Sequence, residues 1–350
     1  MFRPSIRSSD LGRYARDVIA SAQALAPAHL TSQHHHPAGL SVTLWHRDAA
    51  LAEICHRGLA VDSEKPTVGS IVVYAVDPTI AGSPQFARLD VESGFSSSRL
   101  DTLLAEEGLR GFFHDETMSW QFFDPSAGVG VLLMSRPTGI PLWETGSPLR
   151  LFLHWGLSRH QRRLIHAGTL GNTNTGVLIA GSSGSGKSGT VMAGILNGLK
   201  TTGDDYVVVG GDNEVSARPI FKVVKQDPAG VARLGLHSNR LGPVNWQGKF
   251  EFDPEQIAVN AFTAEQSLTH ILFPRVARLR RSELRPISSR EAALRLSPSS
   301  VLQLPGDRES GFRHFADLAR RLPAFTLDLS EDSLEIVETI SSLWTQEIVP

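Results

Sequence analysis

One octapeptide constrains this chain more than any other feature: Gly181-Ser-Ser-Gly-Ser-Gly-Lys187-Ser188. It lies between the apolar run Val177-Leu-Ile-Ala180 and a stretch of helical character, Ser188–Leu199. The spacing satisfies G-x-x-x-x-G-K-[ST], with strand, glycine-rich turn and helix in the order that motif requires. Glycines let the backbone curl until successive N–H groups converge. The first turn of the helix adds its own unpaired N–H groups and a partial positive charge. Such a concave cluster of donors suits phosphate. Gly181, Ser182, Ser183, Gly184, Ser185, Gly186, Lys187, Ser188 and Gly189 are therefore the predicted nucleotide-binding segment. Lys187 would reach the β- and γ-phosphates, and the Ser188 hydroxyl would serve Mg2+. The rival reading is a Gly/Ser turn that merely precedes a helix, and the register of the three parts argues against it.

The surroundings narrow the class. An N-K-x-D guanine signature and an L-S-G-G-Q-like signature are both missing from the sequence. Lys plus Arg number 34 against 36 Asp plus Glu, a formal charge of −2. No strong field exists to gather nucleic acid or an anionic membrane. No apolar run reaches the roughly 18 residues a bilayer span needs. The single cysteine, Cys55, excludes an internal disulfide and fits a reducing compartment, so a soluble, cytoplasmic protein is expected. A length of 350 residues accommodates two domains.

Residues 1–148 read as a mixed α+β N-terminal domain of unassigned role. Apolar residues at helical spacing predict a helix over 10–26, and Arg99–Glu107 a second. Short β-like runs fall at Ser41–His46, Ile71–Asp77, Phe86–Val91, Trp120–Asp124 and Val129–Met134. His34, His35 and His36 are expected in a polar loop, because adjacent side chains diverge too far to share a metal. Three prolines and two glycines mark 135–148 as a linker. Residues 149–350 change character: a helix over Leu149–Arg163, strands at Ile165–Leu170, Gly176–Ala180, Tyr206–Gly210, Phe221–Lys225, Lys249–Phe252, His270–Val276 and Phe325–Leu329. A last helix runs from Glu331 to Gln346, capped by Ser330 and buried through Leu334, Val337, Ile340 and Trp344. Strands mixed with helices in this way predict an α/β domain around a central sheet.

Three further residues carry chemistry. Asp204-Asp205 arrives 17 residues after Lys187, which is one helix and a turn, so the pair returns to the loop's end of the sheet. Adjacent residues that continue a strand point to opposite faces. One carboxylate could hold Mg2+ while the other accepts a proton from an attacking hydroxyl. His166 lies 21 residues before Lys187, in a strand expected to form a hairpin with Val177–Ala180. Arg275, and less directly Arg218, are candidates to neutralise a transferred phosphate.

The order His166, glycine loop, Asp204-Asp205 resembles that of the HPr kinase/phosphorylase-like serine kinases. Ile165-His-Ala-Gly-Thr169, the loop and Gly203-Asp-Asp-Tyr-Val207 carry the resemblance. It implies a P-loop kinase domain of the phosphoenolpyruvate-carboxykinase type, with ATP and Mg2+ as cofactors. It also implies a His166–Asp204 proton-relay pair and metal held by Ser188 and Asp205. The implied acceptor is a serine of a protein or peptide, with a small-molecule hydroxyl as a variant, and a homo-oligomer is implied too. The R-G-x-G-I-I-N-V-like stretch of the bifunctional enzymes is missing, so neither HPr as substrate nor phosphorolysis is implied. A non-catalytic ATP-binding sensor, with 1–148 binding a partner, is the alternative.

Overall fold

In Leu40–His46 burial alternates with a period of two: Leu40, Val42 and Leu44 are fully buried and the residues between them half-exposed. That is a strand with one face on a core. In the computed structural model, which describes residues 5–60, 68–90, 97–137, 139–238, 241–242, 244–301, 303–306 and 308–345, it is one of several strands in the first of two units. Contacts divide the chain into Met1–His160 with Leu304–Arg308, and Gln161–Gln303 with Glu309–Pro350.

The described elements of the first unit are β1 (Ser5–Ile6), α1 (Leu11–Leu25), β2 (Thr31–His35), β3 (Leu40–His46), α2 (Ala49–Gly58) and β4 (Gly69–Val76). They continue with β5 (Arg88–Leu89), α3 (Ser97–Glu106), β6 (Arg110–His114), β7 (Ser119–Asp124), β8 (Val129–Met134) and α4 (Arg150–Leu157). The main sheet runs β2-β3-β4-β8-β7-β6. Its centre, β3, β4 and β8, is parallel, and its flanking pairs are antiparallel. Helix α2 makes the β3–β4 crossover, opened by the Asp48 carboxylate, which accepts the Ala50 N–H at 2.7 Å. Helices α1 and α3 bury Leu11, Val18 and Leu104 on the face that also holds Trp120 and Phe122. The Trp120 indole N–H, fully buried, donates to the Ala87 carbonyl at 2.8 Å.

Three expectations for this half need correcting. His34 and His35 belong to β2, where antiparallel pairing with β3 sets His34 opposite Thr43 and ties its Nδ1 to that hydroxyl at 3.2 Å. Residues 135–148 are no free linker: Leu142–Thr145 form a short 3-10 helix whose Glu144 is 1% exposed, with burial pushing its carboxyl up to about 7. The division falls after His160 rather than at 148, because the predicted helix from Leu149 stops at Leu157 and packs on the first unit's sheet.

The second unit contains β9 (Arg162–Ile165), β10 (Ala167–Gly171), β11 (Thr175–Ala180), α5 (Lys187–Leu196), β12 (Val207–Gly210), β13 (Ser216–Pro219), β14 (Val224–Gln226) and α6 (Pro228–Arg233). After these come β15 (Phe250–Phe252), β16 (Gln266–Leu279), β17 (Glu283–Ile287), α7 (Ser289–Val301), α8 (Arg308–Arg321), β18 (Ala324–Ser330) and α9 (Ser333–Thr345). The sheet order is β10-β11-β16-β13-β12-β9, with β18 also paired to β16 and β17 to β18. β11, β16 and β18 are parallel neighbours. Alternation splits each strand between two cores. Leu178, Ala180, Ile271 and Phe273 face α7 and α8, whereas Val177, Ile179 and Leu272 face α5 and α9. The chain is thus an α/β protein built on mixed sheets.

Helix α9 starts later than expected. Asp332, not Ser330, caps it, accepting the Leu334 N–H at 2.9 Å. Leu334 then falls in the first turn and is 52% exposed, while Ile336 joins Val337 and Ile340 in the core.

Trp120→Ala removes a fully buried ring and its hydrogen bond from the first unit's core. It should cost about 3–5 kcal/mol, read as a lower urea midpoint for that unit's transition.

Candidate active site

The hairpin expected around the glycine loop is present. β10 pairs antiparallel with β11 from Ala167↔Ala180 to Gly171↔Gly176. The strand expected over 165–170 is broken at His166, however: β9 ends at Ile165 and pairs with β12, and β10 begins at Ala167. His166 is therefore the corner between two strands on different partners, held there as its N–H donates to Ser300 Oγ at 3.1 Å.

The loop leaves β11 and enters α5 through Gly186, whose φ of 105° is a left-handed value that favours glycine. A Cβ there would also sit 2.6 Å from Leu329 Cδ1 and push that side-chain end aside, so the backbone conformation is what demands glycine. Lys187, 7% exposed, lies across the loop and donates to the Gly181 carbonyl at 2.8 Å and the Ser182 carbonyl at 3.2 Å. Burial lowers its pKa, and the charges of Asp204 and Asp205 pull it back up.

The two carboxylates arrive where the spacing placed them. The Thr169 N–H donates to the Gly203 carbonyl at 3.0 Å, which fixes the turn beside β10. Their partners differ from those expected. His166 Nε2 is 3.1 Å from Asp205 Oδ1, not paired with Asp204. Lys225 Nζ is 2.8 Å from Asp205 Oδ2. Both oxygens of Asp205 are engaged, which leaves it poorly suited to the predicted role of metal ligand. Burial would raise its pKa, but Lys225 and His166 outweigh that and hold it well below the usual carboxylate range.

Asp204 is the opposite case. It is 2% exposed, its Oδ2 accepts the Lys225 backbone N–H at 3.3 Å, and it hydrogen-bonds the Ser188 hydroxyl. Its Oδ1 has no partner among the described residues. Burial, then the charge of Asp205, push its carboxyl up to about 6. Of the pair, Asp204 keeps a free lone pair on Oδ1, and the neighbouring Ser188 hydroxyl suits Mg2+, which draws its remaining ligands from phosphate and water. No group of three or more His, Cys, Asp or Glu residues that could hold a metal alone occurs among the described residues.

Lys225 escaped sequence reading. It lies 20 residues beyond Asp205, on β14, whose pairing with β15 brings it back to the site. Arg275 is present but committed elsewhere. Its Nε and Nη2 fork onto Asp328 at 2.5 and 2.8 Å, and Arg285 joins the same fully buried carboxylate at 2.7 Å. The alternation that turns Ile271 and Phe273 toward α7 and α8 places Arg275 on that face, away from α5. Arg218 pairs with Glu265 at 2.9 Å. The imidazole of His166 stacks on Tyr206, centroids 5.1 Å apart, and the Tyr206 hydroxyl donates to Gln303 Oε1 at 2.6 Å.

Fold and site together define an α/β protein with a glycine-rich loop between strand and helix, beside two unequal carboxylates, Asp204 buried and Asp205 half-buried. No family model and no curated protein matches the sequence. Among solved structures the chain is similar to the Hpr(Ser) kinase/phosphatase from Coxiella burnetii, at 14% identity and a TM-score of 0.31, over 53% of this chain and 99% of that one. A likeness so loose carries no weight for function, which must come from the site itself. No helix among the described residues is long and apolar enough to cross a membrane.

Asp204 yields a measurable linkage. Its folded pKa of about 6 lies above the ordinary 3.8, so protonation favours the fold. That stabilisation is complete below about pH 4 and is lost as the pH rises through 6. Asp204→Asn should therefore be more stable than wild type at pH 8 by up to roughly 3 kcal/mol. Melting in metal-free buffer at pH 8 and pH 4 checks this, and the advantage should shrink at pH 4.

Proposed function

We propose that the protein is an ATP- and Mg2+-dependent kinase that transfers the γ-phosphate to a hydroxyl. The observation that carries the reading is the unequal pair beside the loop: Asp205 held as an anion by Lys225 and His166, and Asp204 buried with a free oxygen next to Ser188. A carboxylate fixed as an anion by a lysine ammonium and an imidazole is a poor proton acceptor. One raised toward neutrality, with an open lone pair, is a good one.

In this reading Asp204 Oδ1 takes the proton of the acceptor hydroxyl as its oxygen bonds to the γ-phosphorus. The bond from that phosphorus to the β–γ bridging oxygen breaks, and ADP leaves. Loop N–H groups and Lys187 bind the phosphates and neutralise charge on the transferring group. Ser188, with Asp204 behind it, would hold Mg2+, which when bound supplies further charge neutralisation. His166 and Lys225 act through Asp205, orienting it and fixing the negative charge that raises Asp204. Serine on a protein or peptide as acceptor, and a homo-oligomeric assembly in a phosphoenolpyruvate-carboxykinase-type fold, extend the reading. They rest on the resemblance carried by His166, the loop and the Asp pair.

The test is γ-labelled ATP with Mg2+ added to a cell extract containing wild type or Asp204→Asn. Label should pass to a protein or peptide with wild type only, while both bind ATP. If both bind ATP and neither transfers label to any extract component, the sensor reading replaces this one. Once an acceptor is in hand, Lys225→Met should lower kcat by about one to two orders of magnitude with the KM for ATP unchanged, because Asp205 loses the cation that holds it ionised.

A further inference from the structure

A cleft opens on the side of the loop away from the carboxylates. Gly189, Thr190 and Ala193 of α5 form one wall, Val276 and Leu329 at the ends of β16 and β18 another, and Ile336 of α9 closes it. We propose that this cleft is a nucleoside subsite, taking the ribose and base of the nucleotide whose phosphates the loop holds; it rests on the phosphate-binding reading above.

Sheet order supplies the direction. Along this end of the sheet the strands run β10, β11, β16, β18, and the loop rises from β11. Gly203 and the carboxylates lie on the β10 side, where the Thr169 N–H grips the turn. A phosphate chain whose reacting end faces Asp204 and Ser188 must leave the loop on the other side, toward β16 and β18. The cleft begins there, at Gly186 and Gly189.

Its surface suits a flat ring carrying polar edges. A Cβ on Gly189 would meet nothing within 4 Å, and Ala193 follows one turn later, so this side of α5 admits close approach. Val276 and Leu329 are apolar walls of the kind on which aromatic rings settle. Thr190 provides the independent sign. It is 1% exposed and lines the cleft, yet its Oγ1 has no hydrogen-bond partner among the described residues. Its backbone N–H is already spent on the Gly186 carbonyl at 2.9 Å. A threonine in a helix can return its hydroxyl to the carbonyl four residues back; this hydroxyl does not, and a buried hydroxyl left unpaired is unfavourable. A ribose hydroxyl or a base edge in the cleft would satisfy it.

The test compares ATP with inorganic tripolyphosphate, each with Mg2+, by calorimetric titration of the full-length chain. Wild type should bind ATP at least about tenfold tighter than tripolyphosphate. Val276→Trp, placed at a side chain that is 47% exposed and so tolerant of bulk, should close the cleft. It should remove the advantage of ATP while leaving tripolyphosphate binding within about twofold. Thr190→Val, which deletes only the hydroxyl, should weaken ATP several-fold and spare tripolyphosphate. Equal affinity for the two ligands in wild type, or an ATP advantage that survives both substitutions, overturns the subsite and leaves the phosphate loop standing. Equal loss of both ligands in both variants assigns the effect to the loop and also overturns the subsite. Binding of neither ligand by wild type removes the phosphate-binding reading itself.

Discussion

Two carboxylates on consecutive residues, Asp204 buried and Asp205 half-buried, cannot share one environment. Each charge taken from water must be matched, and like charges at this spacing oppose each other's ionisation. The structure resolves the conflict by asymmetry: Asp205 receives Lys225 and His166, and Asp204 receives a hydroxyl, one backbone N–H and, among the described residues, no cation in direct contact. Much of the second unit follows from that division. β14 must pair with β15 to present Lys225, β9 must end at Ile165 so that His166 can turn the corner, and Tyr206 must stack behind the imidazole.

The loop was legible because every part of it is local. Strand, glycines and helix lie within about twenty residues, and the physics of phosphate binding names each residue type. The hairpin before it was legible for the same reason. What failed was the assignment of partners. Asp204 and Asp205 differ by one position, which near a strand means opposite sides, and nothing local says which side holds His166. Lys225 was invisible because only a distant strand pairing returns it. Helix α9 differs only at its start: Val337 and Ile340 are buried as the stripe predicts, but Leu334 lies in the first turn after the Asp332 cap and stays exposed, while Ile336 joins the core. In the first unit, prolines suggest a linker where Glu144 is buried, since a proline fixes the local backbone and does not itself say what the neighbouring side chains pack against.

Arg275 shows what sequence adjacency cannot decide. It stands within β16, the strand next to β11, but strand alternation turns it to the α7–α8 face, where Asp328 needs compensation. A fully buried carboxylate captures the guanidinium forks within reach. Arg275 and Arg285 therefore serve the fold first, and Lys187 remains the cation of the loop itself.

The cost of Asp204 bears on the choice between enzyme and sensor. Holding a carboxylate whose ionisation opposes folding near neutral pH is a standing loss, on a scale that is a sizeable fraction of a domain's net stability. A protein that only bound nucleotide could place Asn or Ser there and escape it, keeping hydrogen bonds to Ser188 and the Lys225 backbone. The second carboxylate deepens the loss, because the charge of Asp205 adds to the burial that raises Asp204. Lys225 and His166, which could have been spent on Asp204, stabilise Asp205 in its charged form instead. Local rules are broken in folded proteins mainly where function requires it. Here the break leaves one buried oxygen, its carboxyl raised to about 6, beside the glycine-rich loop, and the proposed proton transfer rests on that oxygen.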